Sequence, residues 1–266
     1  MESGNTVKKG IVYGSLPNLE AEERFKLAAE AGFEGVEIHG TDSVDELKRM
    51  KDAADAAGVA IPSIMGSTHW EAPFSAADAA VRQRSVDSSI FAIENAHLVG
   101  ADTLLLVPGV VNSDTSYEQV YERSQAEMKK LAPVAEKHNV TIALENVWNK
   151  FLLSPLEFKR YLEEIGSPNI KAYFDAGNIL LYGFPQQWIR TLGPELLHRV
   201  HIKDFRSSDR QFVYLLQGDV PWAAVMAALR EVGYDHYVTA ELPVYPQYPE
   251  QMVFDTSNAM TRILAL

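Results

Sequence analysis

Residues 140–204 read VTIALENVWNKFLLSPLEFKRYLEEIGSPNIKAYFDAGNILLYGFPQQWIRTLGPELLHRVHIKD. Three short apolar, β-branched runs stand in this stretch, at 140–146, 170–175 and 199–204. Each reads as a strand, and each gap between them holds one helical pattern. The first helix opens at Ser154-Pro155-Leu156-Glu157: Ser154 is the N-cap, Pro155 suits the first helical position, and Glu157 is expected to complete a capping box. The second lies around 185–192. Strand, helix, strand, helix, strand in this order predicts parallel strands joined by crossover helices.

The same alternation extends in both directions. Upstream, strands are expected at 10–14, 35–39, 60–66 and 102–108, with helices at 20–31, 43–57, 77–99 and 116–138. Gly32 and Gly58 act as helix stops. Downstream, Asp219-Val-Pro-Trp opens a helix running to Glu231, a strand follows at 237–242, and 249–266 reads as a closing helix. Eight β-then-α units without a linker predict one (β/α)8 barrel, an α/β fold of the TIM type, as a single domain over residues 1–266. An open doubly wound sheet would carry a Gly-rich phosphate loop after its first strand, whereas Tyr13-Gly-Ser-Leu-Pro17 stands there.

Composition narrows the chemistry. The chain has 266 residues and no cysteine, which excludes disulfide scaffolds, thiolate metal sites and a cysteine nucleophile. With 36 acidic against 24 basic residues, a net charge of −12 argues against nucleic acid as a partner. No apolar run is long enough to span a membrane, and the polar start lacks a secretory core, so a cytoplasmic chain is expected.

In a closed barrel of this kind the active site lies at the C-terminal ends of the strands. There the last four strands carry Glu145, Asp175, His201 and Glu241. Each carboxylate follows an apolar run, where an unpaired charge is costly. Three carboxylates and an imidazole brought together repel unless a cation sits among them. Oxygen and nitrogen donors without sulfur favour a hard or borderline divalent ion such as Mn²⁺, Mg²⁺ or Co²⁺, and zinc is not excluded.

The segments ALEN (143–146), YFDAGN (173–178), VHIKD (200–204), GDVPW (218–222) and TAEL (239–242) resemble those of the xylose isomerase-like TIM barrels. More narrowly, the chain resembles the sugar phosphate isomerase/epimerase family, which includes ketose 3-epimerases. The resemblance implies that Glu145, Asp175, His201 and Glu241 bind one divalent metal, commonly Mn²⁺, and that Glu145 and Glu241 form the acid/base pair. It implies an isomerase acting on a small-molecule ketose or ketose phosphate, through an enediolate formed by proton abstraction next to a carbonyl. It admits a homodimer or homotetramer.

Asn178 stands where those epimerases place a substrate-contacting histidine, and Arg206 lies about one residue from their substrate arginine. His69, Trp70, Trp148 and Lys203 are further candidates for substrate contact; for Trp70 core packing is the plain alternative, and for Arg206 a solvated loop. His39 ends strand two, and Trp222 is expected to anchor a helix. Two other readings stand beside the epimerase: a metal-dependent lyase or dehydratase on a keto-sugar or keto-inositol, and a non-catalytic carbohydrate-binding barrel.

Overall fold

Eight parallel strands hydrogen-bond in a closed ring: β1 (Lys8–Val12), β2 (Gly35–His39), β3 (Ser63–Met65), β4 (Thr103–Leu106), β5 (Thr141–Glu145), β6 (Ile170–Asp175), β7 (Leu197–Ile202) and β10 (Tyr237–Ala240), with β10 returning to β1. This computed structural model describes residues 7–266, so residues 1–6 of the polar start lie outside the described residues. The long crossover helices are α1 (Ala21–Glu30), α2 (Val44–Ala57), α3 (Ala79–Asn95), α4 (Tyr117–His138), α5 (Pro155–Ile165), α7 (Pro185–Leu196), α8 (Trp222–Glu231) and α9 (Pro249–Leu264). The expected (β/α)8 barrel is therefore the observed fold. No helix among the described residues is long and apolar enough to cross a membrane.

The helix termini follow from local chemistry. Ser154 accepts from the Glu157 backbone N–H, with Pro155 at the first helical position. The Glu157 carboxylate, expected to close a capping box, instead accepts from the Tyr117 hydroxyl at 2.6 Å, joining α5 to α4. Gly58 ends α2 in the left-handed conformation, as its sequence position demanded. Strand bounds shift: the first strand ends at Val12 and gives way to a 3-10 turn at Tyr13–Ser15, and the third is only three residues long.

The principal core lies between barrel and helices, with Ile11, Val36, Leu104, Ile142, Phe174 and Val200 among its buried members. The barrel interior is different in kind. Strand side chains alternate, so one parity faces the axis, and there Leu105, Ala143 and Tyr173 form a small separate cluster with Met65. Glu37, Ser63, Tyr173 and His201 are all fully buried. Burying that much polarity is tolerable only if the groups satisfy one another.

Two elements were not expected. A single-turn helix, α6 (Ala176–Ile179), follows β6 directly, and the loop after β7 folds into an antiparallel hairpin of β8 (Asp204–Arg206) and β9 (Gln211–Val213). One side chain ties the base of the hairpin to the loop that follows it. Asp204 accepts from the backbone N–H groups of Phe205, Leu216 and Val220 and from Trp222 Nε1, at 2.9–3.2 Å. Trp222 thus anchors α8 as the sequence led us to expect. Gly218 permits this arrangement, because a Cβ there would lie 2.2 Å from Asp204 Oδ1.

Candidate metal centre and active site

Glu145 ends β5, Asp175 ends β6, His201 lies in β7, and Glu241 follows β10. Register places Asp175 beside His201 and His201 beside Thr239, so neighbouring strands carry the four residues. One ligand-type atom from each lies within 4.8 Å of all the others. His201 Nδ1 is 3.1 Å from Glu145 Oε1 and 3.9 Å from Glu241 Oε2. Lys203 continues the inward parity of β7: its ammonium pairs with Glu241 and stands 3.2 Å from Asp175 Oδ2. Gly177 lets the turn after β6 lie against that lysine, since a Cβ there would be 2.5 Å from the Lys203 side chain.

The donor set suits a divalent cation. Asp175 Oδ1 accepts from the Asn178 backbone N–H at 2.7 Å, whereas its buried Oδ2 makes no hydrogen bond and has only the Lys203 ammonium, 3.2 Å away, to balance it. An oxygen of this kind, turned toward two further carboxylates and an imidazole, is what cation coordination satisfies. The four residues make a divalent-metal-binding cluster, with no sulfur donor to favour a soft ion.

The electrostatics differ from group to group. Burial raises Glu145 to about 7, against the lowering influence of His201. Burial also pushes Asp175 upward, with Lys203 opposing. Glu241 goes the other way: burial alone would raise it, but Lys203 and His201 hold it below the usual carboxylate range. Bound charge inverts such preferences, and a divalent cation among these oxygens stabilises all three in the ionised form.

Sequence reasoning missed Glu37. This carboxylate is fully buried in β2. Its Oε2 accepts from Ser63 Oγ at 2.5 Å and from Tyr173 OH at 2.8 Å. Its Oε1 lies 2.8 Å from His201 Nε2. Nε2 donates to that oxygen, which leaves Nδ1 as the ring atom facing Glu145 and Glu241. A signal was present: Glu37 interrupts the apolar run GVEIH, and a charge there requires a partner. Attention to strand ends alone passes over it. Asn146 has a similar supporting part, its amide exchanging two hydrogen bonds of 2.9–3.0 Å with the Asp175 backbone.

Two cavities open at this rim. One of about 230 Å³ is lined by Glu145, Asn178, His69, Trp70 and Trp148, among others, and one of about 350 Å³ by His39, Ser15, Leu242 and Pro243. Both are bordered by Lys203, Phe212 and Glu241. His69 is buried, and burial lowers it to about 4, so it is neutral. Trp70 is 53% exposed, facing away from any core. Trp148 stacks on Phe212 of the hairpin, ring centroids 4.6 Å apart, and its Nε1 donates to Asn178 O. The Asn178 amide donates to Asn146 O at 3.0 Å. Arg206 is not brought to either cavity: it is paired with Asp209 on the exposed hairpin, at 2.6 Å.

Fold and site together define a (β/α)8 barrel with a divalent-metal-type centre at the C-terminal rim. The profile of the xylose isomerase-like TIM barrel family matches residues 25–262, and the chain belongs to that family. It is 28% identical over 244 residues to a putative L-ribulose-5-phosphate 3-epimerase, SgbU, of Haemophilus influenzae, covering 85% of each chain. It is 26% identical over 222 residues to L-ribulose-5-phosphate 3-epimerase UlaE of Escherichia coli K12, covering 80% of this chain and 78% of that one. A crystal structure of D-psicose 3-epimerase in the presence of D-fructose superposes with a TM-score of 0.81 at 20% identity, covering 98% of this chain and 100% of that one, and so shares the fold.

Proposed function

We propose that the chain is a divalent-metal-dependent epimerase or isomerase of a ketose or ketose phosphate, working by proton transfer next to a carbonyl. The observation that carries this reading is the pair of carboxylates, Glu145 and Glu241, 3.1 and 3.9 Å from His201 Nδ1 and lining one cavity. A cation held by Glu145, Asp175, His201 and Glu241, with Mn²⁺ proposed and Mg²⁺, Co²⁺ or Zn²⁺ as alternatives, supplies Lewis-acid stabilisation of the negative charge that proton removal creates. One glutamate takes the proton from one face of the carbon and the other returns a proton to the opposite face, which inverts the centre. Asp175 is fixed by Asn146 and Asn178, and His201 by Glu37, so these two ligands have firm support beside Glu145 and Glu241. His69, Trp70, Trp148, Asn178 and Lys203 are the proposed substrate contacts; an indole face suits the apolar face of a sugar ring.

A lyase or dehydratase on a keto-sugar is the second reading. In that reading Lys203, the ammonium paired with Glu241 at the rim, is the group that would protonate a departing hydroxyl. NMR in D₂O separates the two: deuterium at the epimerised carbon of an unfragmented sugar supports the first, and loss of water the second. Glu145→Gln and Glu241→Gln are each expected to abolish turnover with circular dichroism unchanged. Chelation is expected to inactivate, and added Mn²⁺ to restore. Near-normal turnover in either variant sinks the two-carboxylate mechanism.

A further inference from the structure

The rim is divided, and Phe212 stands at the divide. It projects from β9 of the hairpin, stacked on Trp148, with the Lys203 ammonium 5.2 Å from its ring centre. Glu241 borders both cavities, whereas Glu145 borders only the smaller one. A molecule held at Glu241 therefore has access to both the smaller lobe and the larger, about 350 Å³.

The larger lobe has a distinct chemistry. Val12, Leu242, Pro243 and Phe212 give it apolar walls, and its polar groups are His39, Ser15 and the shared Lys203 and Glu241. Phosphate recognition relies on arginine, free ammonium groups or helix N-termini. Among the described residues lining the two lobes, Lys203 is the single lysine or arginine, and its ammonium is already engaged by Asp175 and Glu241. Arg206, on the nearby hairpin, is held by Asp209. In the smaller lobe, by contrast, Trp70 and Trp148 are 53% and 40% exposed, which suits stacking on an uncharged ring.

We infer that the substrate is an unphosphorylated keto-sugar carrying a second uncharged group, a keto-glycoside, with the keto-sugar ring in the Trp70–Trp148 lobe and the substituent in the lobe beneath His39. The inference rests on the proposed epimerase reading and sharpens its substrate class.

Tryptophan fluorescence of the Mn²⁺-loaded protein reads binding without turnover. Three probes decide: the methyl glycoside of a keto-hexopyranose, a free ketohexose, and the same ketohexose bearing a terminal phosphate. The glycoside is expected to bind at least about 10-fold more tightly than the phosphorylated sugar, with inorganic phosphate failing to compete; Phe212→Ala is expected to shrink that preference. A glycoside that binds no better than the other two, or competition by inorganic phosphate, overturns the inference. Deuterium exchange on the same probes keeps the two levels apart. Exchange in the phosphorylated ketose together with its tighter binding removes the glycoside and keeps the epimerase. No exchange in any probe, with the glycoside still bound best, removes the epimerase and keeps the substrate class.

Discussion

At the scale of the residue, His201 owes its part to a carboxylate on the far side of the barrel. Glu37 uses one oxygen for Ser63 and Tyr173 and the other for His201 Nε2, so the imidazole is held in one orientation. Glu37→Gln replaces an acceptor with a donor in a pocket where every neighbour already donates. Loss of such a supporting group costs metal sites about 10- to 100-fold in affinity. We expect that weakening in a calorimetric Mn²⁺ titration of Glu37→Gln, with circular dichroism unchanged. Wild-type affinity would remove Glu37 from any positioning part. The three carboxylate ligands were legible in sequence because each closes an apolar run, and His201 because it falls at the same end of the next strand; Glu37 was not, because it sits inside its run and its partners come from β3, β6 and β7.

At the scale of the element, the β8–β9 hairpin depends on the Asp204 carboxylate. Both oxygens accept two hydrogen bonds each. Asp204→Asn turns one of them into an amide that faces donors, and a buried unsatisfied donor costs about 1–3 kcal/mol. The expected outcome is a lower melting temperature and faster proteolysis between residues 207 and 217. An unchanged cleavage rate would mean that the hairpin is held elsewhere. The eight strands were readable from periodicity, since each is an apolar run bounded by turn residues. The hairpin was not: QFV is too short to show a period, and its position is set by Asp204, seven residues upstream.

At the scale of the whole molecule, the end of the barrel opposite the metal centre carries its own polar group. Arg199, buried, pairs with Asp102 at 2.5 Å; Thr103 Oγ1 donates to Asp102 and so receives the Nε2–H of His198. Burial, then Arg199, lowers His198 to about 3, and burial lowers His69 to about 4. Both are neutral in the folded chain and titrate near their ordinary value in the unfolded one, so the unfolded state binds more protons as the solution becomes acidic. Stability is full above about pH 6.5 and falls as pH drops toward 4, each histidine contributing about 1.4 kcal/mol per pH unit. In His198→Gln the slope of stability against pH over that window, from urea unfolding, should be shallower by that amount; an identical slope would assign the acid sensitivity to other groups.

The hairpin lies outside the ring of strands that carries the metal ligands, and the loop that contains it is closed where Trp222 Nε1 donates to Asp204. Inheritance can therefore treat the segment between them as an exchangeable cassette. A descendant that replaces Phe212 and its neighbours acquires a new preference for what fills the larger lobe, while the chemistry performed at the four ligands passes on unaltered.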